Sequence, residues 1–201
     1  VAADLVRVPP ELETAIEVAL AGRAQDVVVE RWQDAEAAIA LLKSSGSGRA
    51  TFLPLDTLRV PGRTSNPLAL RENGVCGVAA DLVDYDRRFH AVVELLLGRT
   101  LVTSDLSVAR RVLSICPIGW QIVTVEGEIV RTTGAVTGGA RKVGDVGLLA
   151  RQRELRTLRS AVSGLERESA AAAARLTAER EAQTGRRRQL AVLENRRRES
   201  E

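Results

Sequence analysis

The sequence has 201 residues, with 29 Lys and Arg against 26 Asp and Glu, one His, two Cys, no Met, and only two Trp, two Phe and one Tyr. Hydrophobic residues make up 45% of it, enough for one core of roughly 100–150 residues. So few aromatics argue against an aromatic-lined cofactor pocket or a base-stacking platform as its main business. No apolar run approaches the roughly 18–20 residues that span a bilayer, and the N-terminus lacks the order of a signal peptide.

A chain that opens on Val and lacks Met reads as a piece of something longer, of cytoplasmic type. Cys76 and Cys116 stand apart from each other and from the single His90, so both are expected as small, reduced core residues and no metal site is expected. Charge is unevenly placed. Residues 1–142 hold 16 cations against 17 anions, whereas residues 143–201 hold 13 against 9, so all the excess positive charge lies in the second stretch. Two regions with different tasks are implied.

In chain order, Val-Ala-Ala-Asp-Leu-Val occurs at Val1 to Val6 and again at Val78 to Val83. After the first copy, Leu12, Ala15, Ile16, Ala19 and Leu20 predict an amphipathic helix from Pro10 to Leu20, closed by Gly22-Arg23. After the second, Phe89, Val92, Val93, Leu96 and Leu97 predict one from Arg87 to Leu97, closed by Gly98-Arg99. In each case the terminal glycine is expected to take the left-handed conformation. A β-rich stretch follows each helix, Val27 to Val29 and Leu101 to Thr103, and then a second helix, Asp34 to Leu42 and Ser107 to Leu113. The repeat predicts two β-α-β-α lobes sharing one core.

Between the lobes Thr51 to Leu53 reads as a strand, followed by turn signals at Pro61-Gly62, Asn66-Pro67 and Asn73-Gly74. Gln121 to Val125 and Glu128 to Arg131 predict a hairpin around Gly127, and a glycine-rich stretch runs from Gly134 to Gly139. From Leu155 onward apolar residues fall three and four apart (Leu155, Leu158, Val162, Leu165, Ala172, Leu176, Leu190, Leu193). This is a coiled-coil seam on a helix from Leu148 to Glu201, and it weakens at Ser169, Glu179, Gln183 and Arg186. The fold class is therefore α/β (mixed α+β): two pseudo-repeated lobes in one globule, then a long coiled-coil helix. A second copy of the chain or a helix upstream of Val1 would supply the other half of the coil.

Gly134 and Gly139 have the spacing of a phosphate-binding loop, which makes a nucleotide-binding enzyme domain on residues 134–139 the alternative reading. The next residues, Ala140 and Arg141, replace the Lys and hydroxyl that such a loop needs. The glycines otherwise suit close backbone approach and strand pairing with another subunit. His90 has no evident partner, Asp81, Asp84 and Asp86 suit helix capping, and no nucleophile, base and orienting acid assemble, so no catalytic residue and no cofactor are expected. Arg141, Lys142, Arg151 and Arg153 group four cations around the junction of globule and coil, as sequence-independent phosphate contact would require.

The order Val1 to Val6 with Pro9-Pro10-Glu11, Gly22-Arg23-Ala24-Gln25-Asp26, Phe52-Leu53-Pro54-Leu55-Asp56, Thr137-Gly138-Gly139 and Leu148-Leu149-Ala150-Arg151-Gln152 resembles the hinge domain of structural maintenance of chromosomes (SMC) proteins, in its bacterial form. The resemblance implies a hinge (dimerisation) domain at 1–142 and a junction with a C-terminal coiled-coil arm at 143–201. It further implies a two-fold homodimer joined through strand edges in both lobes and lined by glycines at Gly134, Gly138 and Gly139. It implies DNA contact, with a single-stranded preference and no sequence specificity, through Arg141 and Lys142, with Arg151 and Arg153 next along the coil. Chromosome condensation and segregation at the nucleoid would be the setting. ATP hydrolysis would belong to head domains at the far ends of the coil. Many bacterial relatives carry a longer Lys run where this chain continues Val143-Gly144-Asp145.

Overall fold

The computed structural model describes residues 1–60, 62, 68–139 and 147–199, with side chains for all of these except 189–192 and 194–199. The turn signals at Pro61 and Asn66-Pro67, and the side chain of the seam residue Leu190, therefore lie outside what is described. Two compact units result, Val1–Gln152 and Arg153–Glu201.

The first unit is built on the repeat. A 3-10 turn at Ala2–Leu5 leads to β1 (Val6–Arg7), and a second turn at Pro10–Leu12 opens α1 (Glu13–Leu20). In the second lobe a turn at Ala79–Asp81 leads to β5 (Asp84–Tyr85), and a turn at Arg87–Phe89 opens α3 (His90–Leu97). Both helices are displaced by 77 positions, from Glu13 to His90 and from Leu20 to Leu97. Ala2, Ala3 and Val6 are buried, and so are Ala79, Ala80 and Val83, so the repeated letters are repeated core contacts. β1 and β5 pair antiparallel with Val6 opposite Tyr85 and Arg7 opposite Asp84. Arg7 and Asp84 are themselves equivalent positions, and antiparallel pairing of equivalents is what a local two-fold axis through that pair requires.

Each lobe then adds a parallel strand pair. In the first, β2 (Val27–Val29) crosses through α2 (Trp32–Ser45) to β3 (Phe52–Pro54). In the second, β6 (Thr100–Thr103) crosses through α4 (Leu106–Val112) to β7 (Gln121–Thr124). The second lobe goes further: β4 (Val75–Val78), β8 (Ile129–Arg131) and β9 (Val136–Thr137) extend its sheet to the order β4-β6-β7-β8-β9. β6 and β7 are its buried centre, with Leu101, Val102, Ile122 and Val123 fully enclosed. Burial of each such side chain is worth about 1.5–3 kcal/mol.

The lobes are tied at their helix ends, where the last carbonyls lack intrahelical donors. Arg23 donates through Nη2 to the Leu95 carbonyl in α3 at 3.4 Å. Gln121 donates through Nε2 to the Ala19 carbonyl in α1 at 3.3 Å and to Thr100 Oγ1 at 2.9 Å. The hairpin between β7 and β8 also leans on the first lobe. Gly127 has φ +98°, and a Cβ there would come within 2.9 Å of Thr14 Cγ2 on α1.

Three expectations change. The residue with positive φ after α1 is Ala21 (φ 46°, ψ −134°), one position before the expected glycine, because the helix stops at Leu20 and a 3-10 turn starts at once. Gly98 keeps φ −66°; its role is spatial, since a Cβ would meet the Glu94 carbonyl oxygen at 2.5 Å. Cys116 is buried, but Cys76 is exposed. It falls in a bulge between Val75 and Gly77, where the ladder shifts register, and alternation no longer dictates which way a side chain points.

The last helix, α5, runs Leu148–Glu199. Its first turn belongs to the first unit. Leu149 is buried, the Leu148 N–H donates to Glu17 Oε1 on α1 at 2.7 Å, and Gln152 Nε2 donates to Asp4 Oδ1 at 2.7 Å. In the second unit the seam residues Leu155, Leu158, Val162, Leu165 and Leu176 are all about half exposed or more. They are a stripe in need of a partner.

Candidate functional site

The glycine-rich stretch becomes the outer edge of the larger sheet. The chain leaves β8, turns through Thr132 to Gly134 with the Gly134 N–H donating to the Arg131 carbonyl at 2.8 Å, and returns as β9. Among the described residues β9 pairs on one side only, Ile129 with Thr137 and Val130 with Val136, and both its residues are exposed. Gly134 (φ +90°) and Gly139 (φ +146°) bracket it, and a Cβ at either would meet nothing within 4 Å. Gly138 differs. A Cβ there would come within 2.9 Å of Glu128 Cγ, so its missing side chain is needed inside the chain itself. Glu128 is held by its N–H to Thr124 Oγ1 at 3.1 Å and by the Thr124 hydroxyl donating to its carboxylate. None of these contacts was visible as spacing in the sequence.

This geometry bears on the nucleotide alternative. A phosphate loop joins a strand to a helix and turns its N–H groups inward around the anion. Here the two glycines of that spacing stand at opposite ends of a strand, with open space beside each.

The first lobe carries a smaller sheet. β2 and β3 correspond to β6 and β7 and, among the described residues, form a two-stranded sheet of their own. The region is locked locally: both carboxylate oxygens of Asp56, in the Phe52 to Asp56 stretch, accept from the Trp32 N–H at 3.0 and 3.2 Å, fixing the start of α2 behind the pair.

Of the four candidate phosphate contacts, Arg141 and Lys142 lie outside the described residues. Arg151 is exposed on the first turns of α5, within the first unit, and Arg153 is exposed at the start of the second. Two positions apart on a helix, they do not share a face.

The remaining polar groups are structural. Asp105 caps α4, accepting from the Ser107 and Val108 N–H groups at 2.8 and 3.0 Å and from the Ser104 hydroxyl at 2.8 Å. The Ser107 hydroxyl also donates to it, and this bond above all, with the others, holds its carboxyl far below the usual range. Asp26 moves the other way, because burial outweighs Arg23 and Thr51. Burial pushes the Cys116 thiol up to about 11. His90 does have a partner, Tyr85 Oη at 3.0 Å from its Nδ1. Asp86 accepts from the Arg88 N–H at 3.0 Å, a cap at the turn that opens α3. Among the described residues no group of three or more His, Cys, Asp or Glu could hold a metal, and no helix is long and apolar enough to cross a membrane.

Comparison with known proteins gives the same picture. The profile of the "SMC proteins Flexible Hinge Domain" matches residues 1–113. The chromosome partition protein Smc of Bacillus subtilis is 38% identical over 169 residues, 83% of this chain and 14% of that protein. The corresponding protein of Gloeobacter violaceus is 41% identical over 175 residues, again covering 14% of its length. Among solved structures, an asymmetric dimer of the Geobacillus stearothermophilus SMC hinge domain superimposes with a TM-score of 0.72 at 39% identity, over 82% of this chain and 66% of that one. A Pyrococcus furiosus Smc hinge domain with an extended coiled coil gives 0.58 at 33% identity, over 81% and 58% of the two chains. The chain thus spans about a seventh of the chromosome partition proteins it matches. Its duplicated lobes, its long outgoing helix and these matches together place it in the SMC hinge family.

Proposed function

We propose that this domain is the dimerisation hinge of a chromosome-organising SMC ATPase. Two copies pair through strand edges, β9 of one adding to the short sheet of the other's first lobe, twice around a two-fold axis. The observation that supports this reading best is the glycine-bracketed edge at β9, whose two residues are exposed and which, among the described residues, pairs only with β8. Exposed sheet edges invite such pairing. The half-exposed seam of α5 takes an incoming helix from the chain preceding residue 1, in an antiparallel coil. Arg141, Lys142, Arg151 and Arg153 contribute sequence-independent DNA contact, preferentially to single strands. The setting is the nucleoid in the cytoplasm, and ATP hydrolysis resides in head domains at the far ends of the coil.

Sedimentation equilibrium tests the pairing. Val136 is 62% exposed, so Val136→Lys preserves the fold and places a charge on the edge. We expect dimer dissociation at least tenfold easier; an unchanged dissociation constant removes β9 from the interface. For DNA, Arg141→Glu with Lys142→Glu should weaken single-strand binding and flatten its dependence on salt, and an unchanged slope removes the pair.

A further inference from the structure

The loop joining α4 to β7, Ser114-Ile115-Cys116-Pro117-Ile118-Gly119, is six uncharged residues in a chain that is 27% charged. At its tip Ile118 is 94% exposed, the most solvent-facing of the large exposed hydrophobics, and Ile115 is also exposed. An isolated exposed aliphatic residue is ordinary on a protein surface. This one differs in being presented by a pinned turn.

Trp120 and Cys116, on either side of the tip, are buried. The Trp120 N–H donates to the Pro117 carbonyl at 3.2 Å, closing a turn with Ile118 and Gly119 at its corners. Gly119 has φ +86°, as a type II turn requires at its second corner. Its N–H donates to Thr132 Oγ1 at 3.2 Å, and that hydroxyl donates onward to the Trp120 carbonyl at 3.1 Å. Thr132 also begins the turn that delivers Gly134 and β9. The same residue therefore pins the Ile118 turn and the approach to the bare edge, setting the two surfaces at one end of the sheet.

We infer that Ile118 is an apolar anchor for a second copy of this chain, extending the β9 contact around the end of the sheet onto that copy's first lobe. The inference rests on the dimer reading above. It goes further by assigning affinity to a loop that contributes no strand. Strand-edge hydrogen bonds are largely sequence-independent, and a rigid aliphatic residue loses little side-chain entropy on burial, so Ile118 would add affinity and select against unrelated edges.

The test measures dimer dissociation constants of the whole chain by sedimentation, alongside thermal unfolding. Ile118→Asp should raise the constant at least tenfold without lowering the unfolding temperature of the monomer, and Ile118→Leu should stay within about threefold of the parent. Leu68→Asp is the control. Leu68 is 65% exposed in the turn that packs on β4, at the opposite edge of the sheet, and its replacement should change the constant less than twofold. A dimer that Val136→Lys weakens but Ile118→Asp leaves within twofold overturns this inference alone. A parent chain that stays monomeric at every concentration overturns the dimer reading together with it.

Discussion

Replacing Gly127 by Ala should cost the hinge about 2–5 kcal/mol of unfolding free energy, in two separable parts. Its φ of +98° lies where an L-residue is strained, worth about 1–2 kcal/mol. The added methyl would also sit 2.9 Å from Thr14 Cγ2 and 3.3 Å from Val18 Cγ2. Overpacking of that kind costs about 1–3 kcal/mol, depending on how far α1 can yield. Gly46 separates the two parts. Its φ is +62° at the end of α2 and a Cβ there meets nothing within 4 Å, so Gly46→Ala should show conformational strain alone, about 1 kcal/mol. Thr14→Ser removes the clashing methyl and should return about half of the Gly127→Ala loss. The assay is equilibrium urea unfolding at one fixed protein concentration, since dimerisation makes stability concentration-dependent. If Gly127→Ala costs no more than Gly46→Ala, or Thr14→Ser gives no relief, the hairpin does not bear on the first lobe as described.

Ala21 occupies a conformation that glycine prefers, so Ala21→Gly should raise stability by up to about 1 kcal/mol, against the usual cost of introducing glycine; a loss in urea unfolding would count against the strain. Asp105 has its carboxyl pKa lowered on folding. Its contribution is therefore present at neutral pH and lost as pH falls below about 4. Asp105→Asn should flatten acid unfolding in that range, and an unchanged acid limb would refute the assignment. Of the two thiols, Cys76 should react with a disulfide reagent in the native protein, whereas Cys116 should react only on unfolding; equal native rates would contradict the burial of Cys116.

Much of the architecture was legible wherever a local rule spoke alone. The apolar spacing in α1 and α3 and the β-branched run at Val27 to Val29 each encode one element, and each lies where the pattern put it, while the repeated hexapeptide marks a 3-10 turn in both lobes. What escaped depends on residues far apart in the chain. No periodicity could announce that Gln121 bonds Ala19, that Glu17 caps the long helix at Leu148, or that Glu128 is the reason for Gly138. Cys76 is exposed where its residue type alone suggested burial, since it falls in a bulge that shifts the ladder. The glycine stretch reads in the sequence as a place of close approach, and the sequence alone does not distinguish an in-chain need, as at Gly138, from open space, as at Gly134 and Gly139.

The pairing of β1 with β5 also has a consequence in time. The first two residues of the interlobe ladder, Val6 and Arg7, meet partners made more than seventy positions later, at Asp84 and Tyr85. At a synthesis rate of about 5–20 residues per second, β1 waits roughly 4–15 s before β5 exists to pair with it. During that interval β2 and β3 can pair locally, but the buried face of α1 has no α3 to meet. The first lobe is thus made before the second yet sealed only by it, and the growing chain carries an open apolar seam until the second lobe arrives.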